Sequence, residues 1–413
     1  MNIKRQAIFW SCLFLTIVGF TLHIHQLFAM AASLACLPVI AGIIGRRKLE
    51  RLTAARQAPT AVNCGEPVEV DLTVRNTGRT RAIFFSVLER LPRALCPERE
   101  QEFPIAILGP GEATRLHYSL PTALRGAYQL GPTRLQTGDV IGLQQYHREV
   151  PGTHELLVYP RAVHLPYAWP TAAGGRQPVR ARRRLRGEGD EFYGVRDYVP
   201  GDDPRRISWR ATARRGELMV VEYERQESLQ AMILLDTEQR WHAGTGERHT
   251  LEYGVTLAAS LLEQAYARGS TVGFIAGGME AFNCAPLPEG EQRLRLYEAL
   301  ARVPPIGTAS LAEVMARHEH LLPPHCTCAV ISPSPEAGAV AAHLRGLGHA
   351  VAWFVLEAGT FGTAHRPDYT ALLGELASSR CDLRVIYGDR PLAASWGRHV
   401  GRGGGERRAA ASR

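Results

Sequence analysis

Scarce residue types and absent motifs exclude several classes of protein at once. Only 8 of the 413 residues are cysteine, which is too few for a disulfide-stapled scaffold. Lysine occurs only at Lys4 and Lys48, and neither position can serve a Walker loop. The chain also lacks a Gly-x-Ser-x-Gly elbow and a His-Glu-x-x-His motif, so it carries neither of these hydrolase signatures. We therefore expect a protein that is not an enzyme and that uses no cofactor.

Length and composition indicate a folded protein of several units. Hydrophobic residues make up 45% of the chain and charged residues 21%, which excludes a wholly disordered protein. At roughly 150 residues per domain, the length predicts two or three folded units. The formal net charge is +8, nearly all of the positive charge being arginine. Such a charge suits nucleic acid, anionic lipid or an acidic protein as partner.

Two apolar runs near the N-terminus predict a two-helix transmembrane hairpin over residues 1–57. Residues 7–22 and 27–45 are uncharged and mostly apolar, and each run is close to the roughly 20 residues that span a bilayer core. Basic residues flank both runs: Lys4 and Arg5 before the first, and Arg46, Arg47, Lys48 and Arg51 after the second. Both ends should therefore face the cytoplasm. We expect a two-pass protein of the inner (plasma) membrane, in contact with the lipid bilayer, with the bulk of the chain cytoplasmic.

A cleaved signal peptide is the alternative interpretation of the N-terminus. Ala29-Met30-Ala31 provides a small-residue cleavage site. The second apolar run begins before that site and continues through it, which favours the hairpin. His23 and His25, at the apex between the runs, are interpreted as polar turn residues rather than metal ligands.

Alternating apolar and polar residues predict an immunoglobulin-like β-sandwich over residues 58–168. Strands are expected at residues 68–74, 83–88, 116–120 and 156–159, with turns at 76–78 and 109–111. Several short strands with turns between them are typical of this fold. No residue here carries chemistry, so the domain should serve as a spacer or binding module.

Residues 169–227 are predicted to be a linker followed by a charged motif. Five arginines occur within residues 180–186. A solvated charge run, a contact with an acidic protein or lipid headgroups, and nucleic-acid binding are all open interpretations of this run. Nucleic acid is not expected as a partner, because no aromatic stacking platform or reading helix is nearby.

The charged motif beyond the arginine run predicts a turn and a helix. Pro200-Gly201 marks the turn, and Asp202 or Asp203 can cap a helix over residues 204–215 that begins at Pro204. Neighbouring arginines and aspartates favour rigid bidentate pairs, which form either an ion-paired cap or a docking surface. The candidate partner-binding residues are Arg196, Asp197, Tyr198, Gly201, Asp202, Asp203, Arg205, Arg206, Trp209 and Arg214.

The same stretch resembles the DUF58 family of bacterial membrane proteins. The resemblance rests on the ordered strings at residues 187–192, 196–203, 206–209 and 211–214. Asp197 departs from the family, which more often has Glu there, although the charge is kept. The resemblance implies a von Willebrand factor A-like C-terminal domain. It also implies association with MoxR-type AAA+ ATPases, whose genes commonly neighbour those of the family.

Alternating strand and helix patterns predict an α/β, Rossmann-like domain over residues 228–390. Such alternation gives a mostly parallel, doubly wound sheet, in which ligands bind beyond the carboxyl ends of the strands. Strands are expected at residues 229–235, 271–276, 327–332, 350–356 and 383–387, and helices at 247–268, 291–303, 311–321, 337–347 and 368–378. The Gly- and Arg-rich tail, residues 391–413, is predicted to be disordered.

Asp236 follows the first strand of this domain, where von Willebrand A domains carry Asp-x-Ser-x-Ser as oxygen ligands for Mg²⁺. Here Glu238 and Arg240 replace the two serines. A guanidinium at this place would repel a metal and could neutralise Asp236 instead. Thr308 could still supply a hydroxyl from a later loop. The sequence therefore predicts a degenerate site, with Asp236 and Thr308 as its remaining candidates and no bound metal.

These patterns favour a non-enzymatic, membrane-anchored adaptor or scaffold. Its cytoplasmic DUF58 and von Willebrand A-like region would dock a partner, which the resemblance implies to be a MoxR-type AAA+ ATPase or its envelope client. The alternatives are an accessory subunit of a membrane transglutaminase-like enzyme and a binder of anionic lipid or nucleic acid. Cys326-x-Cys328 lacks zinc or redox spacing, so the cysteines are interpreted as reduced thiols.

Overall fold

The chain folds as two compact units, Met1–Tyr159 and Pro160–Arg413. In the computed structural model, the described residues are 3–96, 100–138, 145–165, 169, 185–187, 191–199, 202–225, 230–304, 307–362 and 367–395. Residues 171–178 of the expected linker, most of the arginine run and residues 396–413 of the expected disordered tail lie outside them. The tail residues Leu392–Ser395 form a short helix instead.

Two apolar helices begin the first unit, α1 (Ile3–Leu22) and α2 (His25–Glu50). They separate at His23, whose φ of +55° turns the chain, and the Cys12 thiol lies 3.6 Å from the carbonyl of Ala31 on α2. By length and composition α2 can cross a membrane, with a mean hydropathy of 2.4. The described apolar part of α1 is shorter. The N-terminal region is therefore a candidate for membrane association.

The remainder of the first unit is β-rich, in agreement with the sequence prediction. Its strands form three sheets in the orders β1-β3-β6, β5-β4-β8-β9 and β2-β10-β7. Alternate residues of β3 are buried in one apolar core that the sheets share, because side chains of a strand alternate between its faces. The strands are β1 (Leu52–Gln57), β2 (Ala61–Asn63), β3 (Val68–Asn76), β4 (Ala82–Arg90), β5 (Glu100–Leu108), β6 (Ala113–Leu120), β7 (Gly126–Leu130), β8 (Thr133–Gly138), β9 (Gln145–Val150) and β10 (His154–Tyr159).

Helix α2 and strand β1 join directly, with only Arg51 between them. The side chain of Leu49, in the last turn of α2, is buried in the β-rich core. The Arg148 guanidinium on β9 donates hydrogen bonds to the carbonyls of Leu49 (2.6 Å) and Leu52 (3.0 Å). The strands thus begin inside the segment that the sequence analysis assigned to the juxtamembrane region.

A buried ion pair links β1 to β4 inside the β-rich unit. Arg56 pairs with Glu89 at 2.5 Å, and the two side chains are 5% and 0% exposed. Glu89 also accepts hydrogen bonds from the hydroxyls of Thr133 and Tyr118, and Arg56 donates to the carbonyl of Leu130 at 2.8 Å. Burial and the nearby Glu89 carboxylate raise the pKa of the Tyr118 hydroxyl. The four side chains form a polar network in an apolar core, in which the Nε of Arg56 is buried without a hydrogen-bond partner among the described residues.

Replacing Arg56 by Ala should destabilise the β-rich unit by about 3–5 kcal/mol, because it leaves the Glu89 carboxylate buried without its cation. Hydrogen exchange of the β3 to β10 peptides, followed by mass spectrometry, measures this loss. Replacing Glu149, the partner of Arg134 in an exposed pair at 3.1 Å, is the matched control and should cost under about 1 kcal/mol. Equal losses in the two variants would contradict the assignment.

The second unit combines a small antiparallel sheet with a larger α/β sheet. Its strands are β11 (Leu185–Gly187), β12 (Glu191–Asp197), β13 (Met219–Arg225), β14 (Gln230–Leu235), β15 (Gly244–Thr245), β16 (Arg248–His249), β17 (Thr271–Ala276), β18 (Cys284–Leu287), β19 (Thr327–Ser332), β20 (Ala350–Glu357) and β21 (Asp382–Tyr387). Its helices are α3 (Trp209–Arg215), α4 (Thr250–Tyr266), α5 (Glu289–Arg302), α6 (Leu311–His318), α7 (Gly338–Gly346), α8 (Thr370–Ser378) and α9 (Leu392–Ser395).

The larger sheet has the order β18-β17-β14-β19-β20-β21. All its pairs are parallel except the edge pair of β17 with β18. Ile233 of β14 packs into one apolar core, and its neighbours Met232 and Leu234 pack into another. The predicted mostly parallel α/β sheet is therefore confirmed. The short edge strand β18 is missing from the prediction, since its four residues include Pro286, a residue confined to sheet edges.

The order of strands reverses at β14, and this fixes where a site can form. The chain runs from β14 to β17 on one side, and later strands extend from β19 on the other. Loops at the carboxyl end of β14 consequently diverge and leave a crevice, as in other doubly wound sheets. The residue that follows β14 is Asp236.

Candidate functional site

Asp236 is held at the carboxyl end of β14 by neighbours on two strands. Its side chain accepts hydrogen bonds from the Ser332 hydroxyl, at the end of β19 (2.6 Å), and from the backbone N–H of Glu238 (3.0 Å). Its own N–H donates to the carbonyl of Ile331 at 2.9 Å. The residue is only 2% exposed, and burial raises the pKa of its carboxyl to about 6. Both protonation states are therefore accessible near neutral pH.

The expectation that Arg240 neutralises Asp236 is wrong. The Arg240 guanidinium instead pairs with the Glu238 carboxylate, and with that of Glu336 at 2.6 Å. The physical reason is access: the Arg240 side chain is about half exposed, whereas Asp236 is buried. The carboxylates of Glu238 and Glu336, at the rim of the crevice, therefore neutralise the Arg240 cation.

The residues of this crevice do not fit a hard divalent cation. Mg²⁺ needs several oxygen ligands that are free to coordinate it, yet both carboxylate oxygens of Asp236 already accept hydrogen bonds. The Arg240 cation lies next to Glu238, and Thr308 is exposed. Within the described part of the chain, no contact joins Thr308 to Asp236.

His242 is a residue of this site that sequence reasoning missed. Its Nε2 lies 3.0 Å from the carbonyl of Asp236, and its Nδ1 lies 2.8 Å from the hydroxyl of Thr250, the first residue of α4. Burial lowers the pKa of the imidazole to about 4, so the ring is neutral at pH 7. The carbonyl assigns the proton to Nε2, which leaves Nδ1 to accept from Thr250. The ring thus fastens the turn after β14 to the start of α4.

Stability should depend on pH through Asp236. Its carboxyl has a pKa of about 6 when folded, against 3.8 when free, so between these values the folded chain holds a proton that the unfolded chain has lost. Raising the pH through this window therefore lowers the free energy of unfolding. Asp236→Asn removes this titration. Relative to wild type, its free energy of unfolding should increase by about 2–3 kcal/mol as the pH rises from about 4 to about 7. Urea unfolding followed by tryptophan fluorescence measures the difference.

The exposed Asp368 is the matched control for this experiment. Hydrogen bonds from Thr370 lower the pKa of the Asp368 carboxyl below its usual value of 3.8, so this carboxyl titrates below the window of the experiment. The stability difference between wild type and Asp368→Asn should therefore stay nearly constant between about pH 4 and pH 7. A difference between wild type and Asp236→Asn that does not vary with pH would contradict the burial argument.

The charged motif forms a second candidate site. Strands β11, β13 and β12 build an antiparallel three-stranded sheet, which the sequence analysis did not predict for the linker and charged motif of residues 169–227. The predicted bidentate pairing is present: both terminal nitrogens of Arg196 donate to the Asp202 carboxylate at 2.6 Å. Asp202 also accepts from the N–H of Val199 at 2.9 Å. The Arg196 cation lowers the pKa of the Asp202 carboxyl to about 2, so the pair stays charged at any physiological pH.

The other candidate residues of the motif occupy different positions. The Tyr198 N–H donates to the carbonyl of Leu218 at 2.8 Å. Asp197 lies 3.8 Å from Arg215, with both side chains largely exposed, so this pair contributes little. Asp203 accepts from the N–H of Arg205 at 2.9 Å. Gly201 and the side chain of Arg206 lie outside the described residues.

The expected helix over residues 204–215 begins later than predicted. Pro204–Arg206 is a separate turn of 3₁₀ helix, after which Ile207 pairs with Val220 of β13. Ser208 then caps α3, because its hydroxyl accepts the N–H of Ala211 at 3.4 Å. The strand pairing overrides the helical pattern and removes Arg205 from α3. Ser208, a preferred N-cap residue, is the signal that could have placed this start.

Three large apolar side chains of the motif face solvent. Trp209, Val199 and Leu218 are 69%, 57% and 44% exposed. Backbone hydrogen bonds bring their segments together: the Tyr198 N–H donates to the carbonyl of Leu218, and the Ser208 N–H donates to the carbonyl of Met219. Exposed arginines stand in the same segment at positions 205, 210, 214 and 215. We call these three apolar and four arginine residues the motif surface.

One family model matches a part of the chain that contains both candidate sites. The model of the family described as "Protein of unknown function DUF58" covers residues 194–332, from the motif sheet through Asp236 to Ser332. Residues 194–332 of this chain thus match the DUF58 family. The chain is also 24% identical over 313 residues to the uncharacterized protein YeaD of Bacillus subtilis, an alignment that covers 71% of this chain and 75% of that protein.

Two of the solved structures that resemble this chain each cover about a quarter of it. The CARDB domain of the PF1109 protein from Pyrococcus furiosus is 19% identical, with 26% of this chain and 86% of that domain covered and a TM-score of 0.20. A cohesin module from Clostridium perfringens is 14% identical, with 26% and 96% covered and a TM-score of 0.22. Scores this low support no conclusion about fold or function.

Proposed function

We propose that this protein is a non-enzymatic, membrane-anchored adaptor whose cytoplasmic region docks a partner protein through the motif surface. The observation that carries the proposal is the exposed Trp209 on a segment that is fixed by the Arg196–Asp202 pair. Helices α1 and α2 provide the two-pass anchor in the inner membrane. The α/β sheet is the von Willebrand A-like part of the adaptor.

Exposure and composition support a docking role for the motif surface. Tryptophan and arginine are enriched among residues that dominate binding energy at interfaces, and a cluster of exposed large apolar side chains on a soluble surface marks an interaction site. The bidentate Arg196–Asp202 pair holds the turn before α3 in place, so less conformational entropy is lost on binding. This combination favours protein docking over a simple ion-paired cap.

The charge of the motif surface indicates an acidic partner. Arg205, Arg210, Arg214 and Arg215 are exposed, and the pair of Arg215 with the exposed Asp197, at 3.8 Å, is loose. The family resemblance adds a MoxR-type AAA+ ATPase or its envelope client as the partner class. An accessory role for a membrane transglutaminase-like enzyme and binding of anionic lipid or nucleic acid remain alternatives. Lipid and nucleic-acid binders also use exposed tryptophans, so salt dependence rather than Trp209 separates them from protein docking.

The von Willebrand A-like assignment rests on the strand order and on Asp236 at the end of β14. The crevice donors do not fit Mg²⁺, so docking in this adaptor would not use a metal bridge between the partners. Contact would depend on side chains of the chain itself, which is consistent with the position of the apolar and arginine residues outside the crevice.

Trp209→Ala should abolish capture of the partner from detergent-solubilised membranes, with at least a tenfold loss expected for a central interface tryptophan. Quantitative mass spectrometry of the captured proteins measures it. Leu294→Ala is the matched control, because Leu294 is also 69% exposed but lies on α5. An acidic AAA+ ATPase that is retained by Leu294→Ala and lost by Trp209→Ala supports the proposal.

The alternatives give different results in the same experiment. A polyanion binder would lose its ligand steeply as salt rises, and the material that it captures would be lipid or nucleic acid rather than an AAA+ ATPase. If wild type and Trp209→Ala capture the same proteins, docking through the motif surface is excluded.

The two-pass anchor predicts a defined labelling pattern in intact cells. A cysteine at position 23, between α1 and α2, should react with a maleimide that cannot cross the membrane. A cysteine at the exposed position Arg79 should react only after permeabilisation. Labelling at position 79 in intact cells would place the β-rich unit outside and overturn the proposed topology.

A further inference from the structure

We infer that Cys326, Cys328 and His349 form a zinc site at the opposite end of the α/β sheet from Asp236. Cys326 immediately precedes β19 and Cys328 is its second residue, so the two thiols lie on the same face of an extended segment. His349 immediately precedes β20, which pairs in parallel with β19. The Ala350 N–H donates to the carbonyl of Cys326 at 3.1 Å, which fixes His349 beside the first thiol.

The three donor atoms are close enough to share one ion. The two sulfurs are 3.6 Å apart, and the Cys326 sulfur lies 3.3 Å from Nδ1 of His349. All three donors lie within 4.8 Å of one another, and the residues are 1%, 0% and 3% exposed. The three side chains are already together, so no rearrangement of the core is needed for them to share an ion.

These separations match tetrahedral coordination. With zinc bonds of about 2.3 Å to sulfur and about 2.0–2.1 Å to nitrogen, tetrahedral angles place two sulfurs about 3.8 Å apart and a sulfur and a nitrogen about 3.5 Å apart. Both observed distances fall within about 0.3 Å of these values. A trigonal ion would spread the sulfurs to about 4.0 Å, a poorer match.

Charge balance favours Zn²⁺ over other soft ions. Thiolate and imidazole ligands select soft or borderline metals such as zinc and Cu⁺. Two thiolates, one neutral imidazole and Zn²⁺ have no net charge, which a buried apolar site tolerates. Cu⁺ with the same ligands would leave a negative charge in the core, and burial of an uncompensated charge is costly.

The fourth ligand can come from His325 or from water. The exposed His325 ring lies beside Gly348, the residue before His349: a Cβ placed on Gly348 would be 3.3 Å from its Nδ1. The Arg345 guanidinium is directed at the carbonyl of His349, to which it donates at 3.0 Å. The site therefore has an edge toward solvent at which a fourth ligand can enter.

Sequence spacing alone pointed away from this site. Cys-x-Cys has neither the zinc-finger nor the redox spacing, and His349 follows Cys326 by 23 residues. Only the parallel pairing of β19 with β20 brings the imidazole to the thiols. The zinc site shares no residue with the motif surface, so the test of zinc binding is independent of the adaptor proposal.

The test uses the full chain, without an affinity tag, purified in detergent, stripped with a chelator and titrated with Zn²⁺ against a chromophoric zinc chelator. We expect one equivalent bound by wild type, none by Cys326→Ser or Cys328→Ser, and at least tenfold weaker binding by His349→Gln. Cys381→Ser, which alters a half-buried thiol outside the cluster, should bind like wild type. Wild type that binds no zinc, or variants that bind it unchanged, would overturn the inference.

X-ray absorption at the zinc edge keeps the test decisive if a variant fails to fold. Wild type should show two sulfurs at about 2.3 Å and one or two imidazole nitrogens at about 2.0–2.1 Å. A shell of nitrogen and oxygen alone would assign the zinc to surface histidines and reject the site. Retention of Cu⁺ but not Zn²⁺ under reducing conditions would reject zinc as the ion.

Discussion

The parallel pairing of β14 with a strand on either side is the constraint on which the second unit depends. Since β14 is buried on both faces and hydrogen-bonded along both edges, its ends can lie only at the two rims of the sheet. At one rim Asp236 meets Ser332. At the other, the neighbouring pair β19 and β20 places two thiols beside an imidazole. Both groupings follow from strand register rather than from local sequence.

Polar groups in this protein fall into two physical classes. The Arg56–Glu89 network and Asp236 are buried, and their energies are set by desolvation and by hydrogen bonding in a low-dielectric interior. The Arg196–Asp202 pair lies nearer the surface, where Coulombic attraction is screened but two parallel hydrogen bonds still fix geometry. The buried groups hold each unit together, whereas the surface pair presents Trp209 in a defined position.

Periodicity was sufficient to predict β3 and α4, because each buries a regular stripe of apolar side chains, and the unbroken apolar run of β14 predicted a strand buried on both faces. Periodicity failed where pairing partners decide the outcome. The sheet of β11, β12 and β13 was not predicted within the linker and charged motif of residues 169–227, and residues 204–208 were assigned to a helix although Ile207 pairs with β13. Asp236 was identifiable from its place after a buried strand. His242 and Ser332 were not, since only the folded turn and the adjacent strand bring them to it.

The direct join of α2 to β1 has a mechanical consequence. Leu49 is buried among the strands, and Arg148 ties the last turn of the helix to the first residue of the sheet, so the helix cannot swivel independently of the β-rich unit. In the proposed anchor, α2 then acts as a rigid lever. A thinner bilayer that tilts this helix would rotate the attached strands by the same angle, which makes the orientation of the first unit responsive to the thickness of the lipid around it.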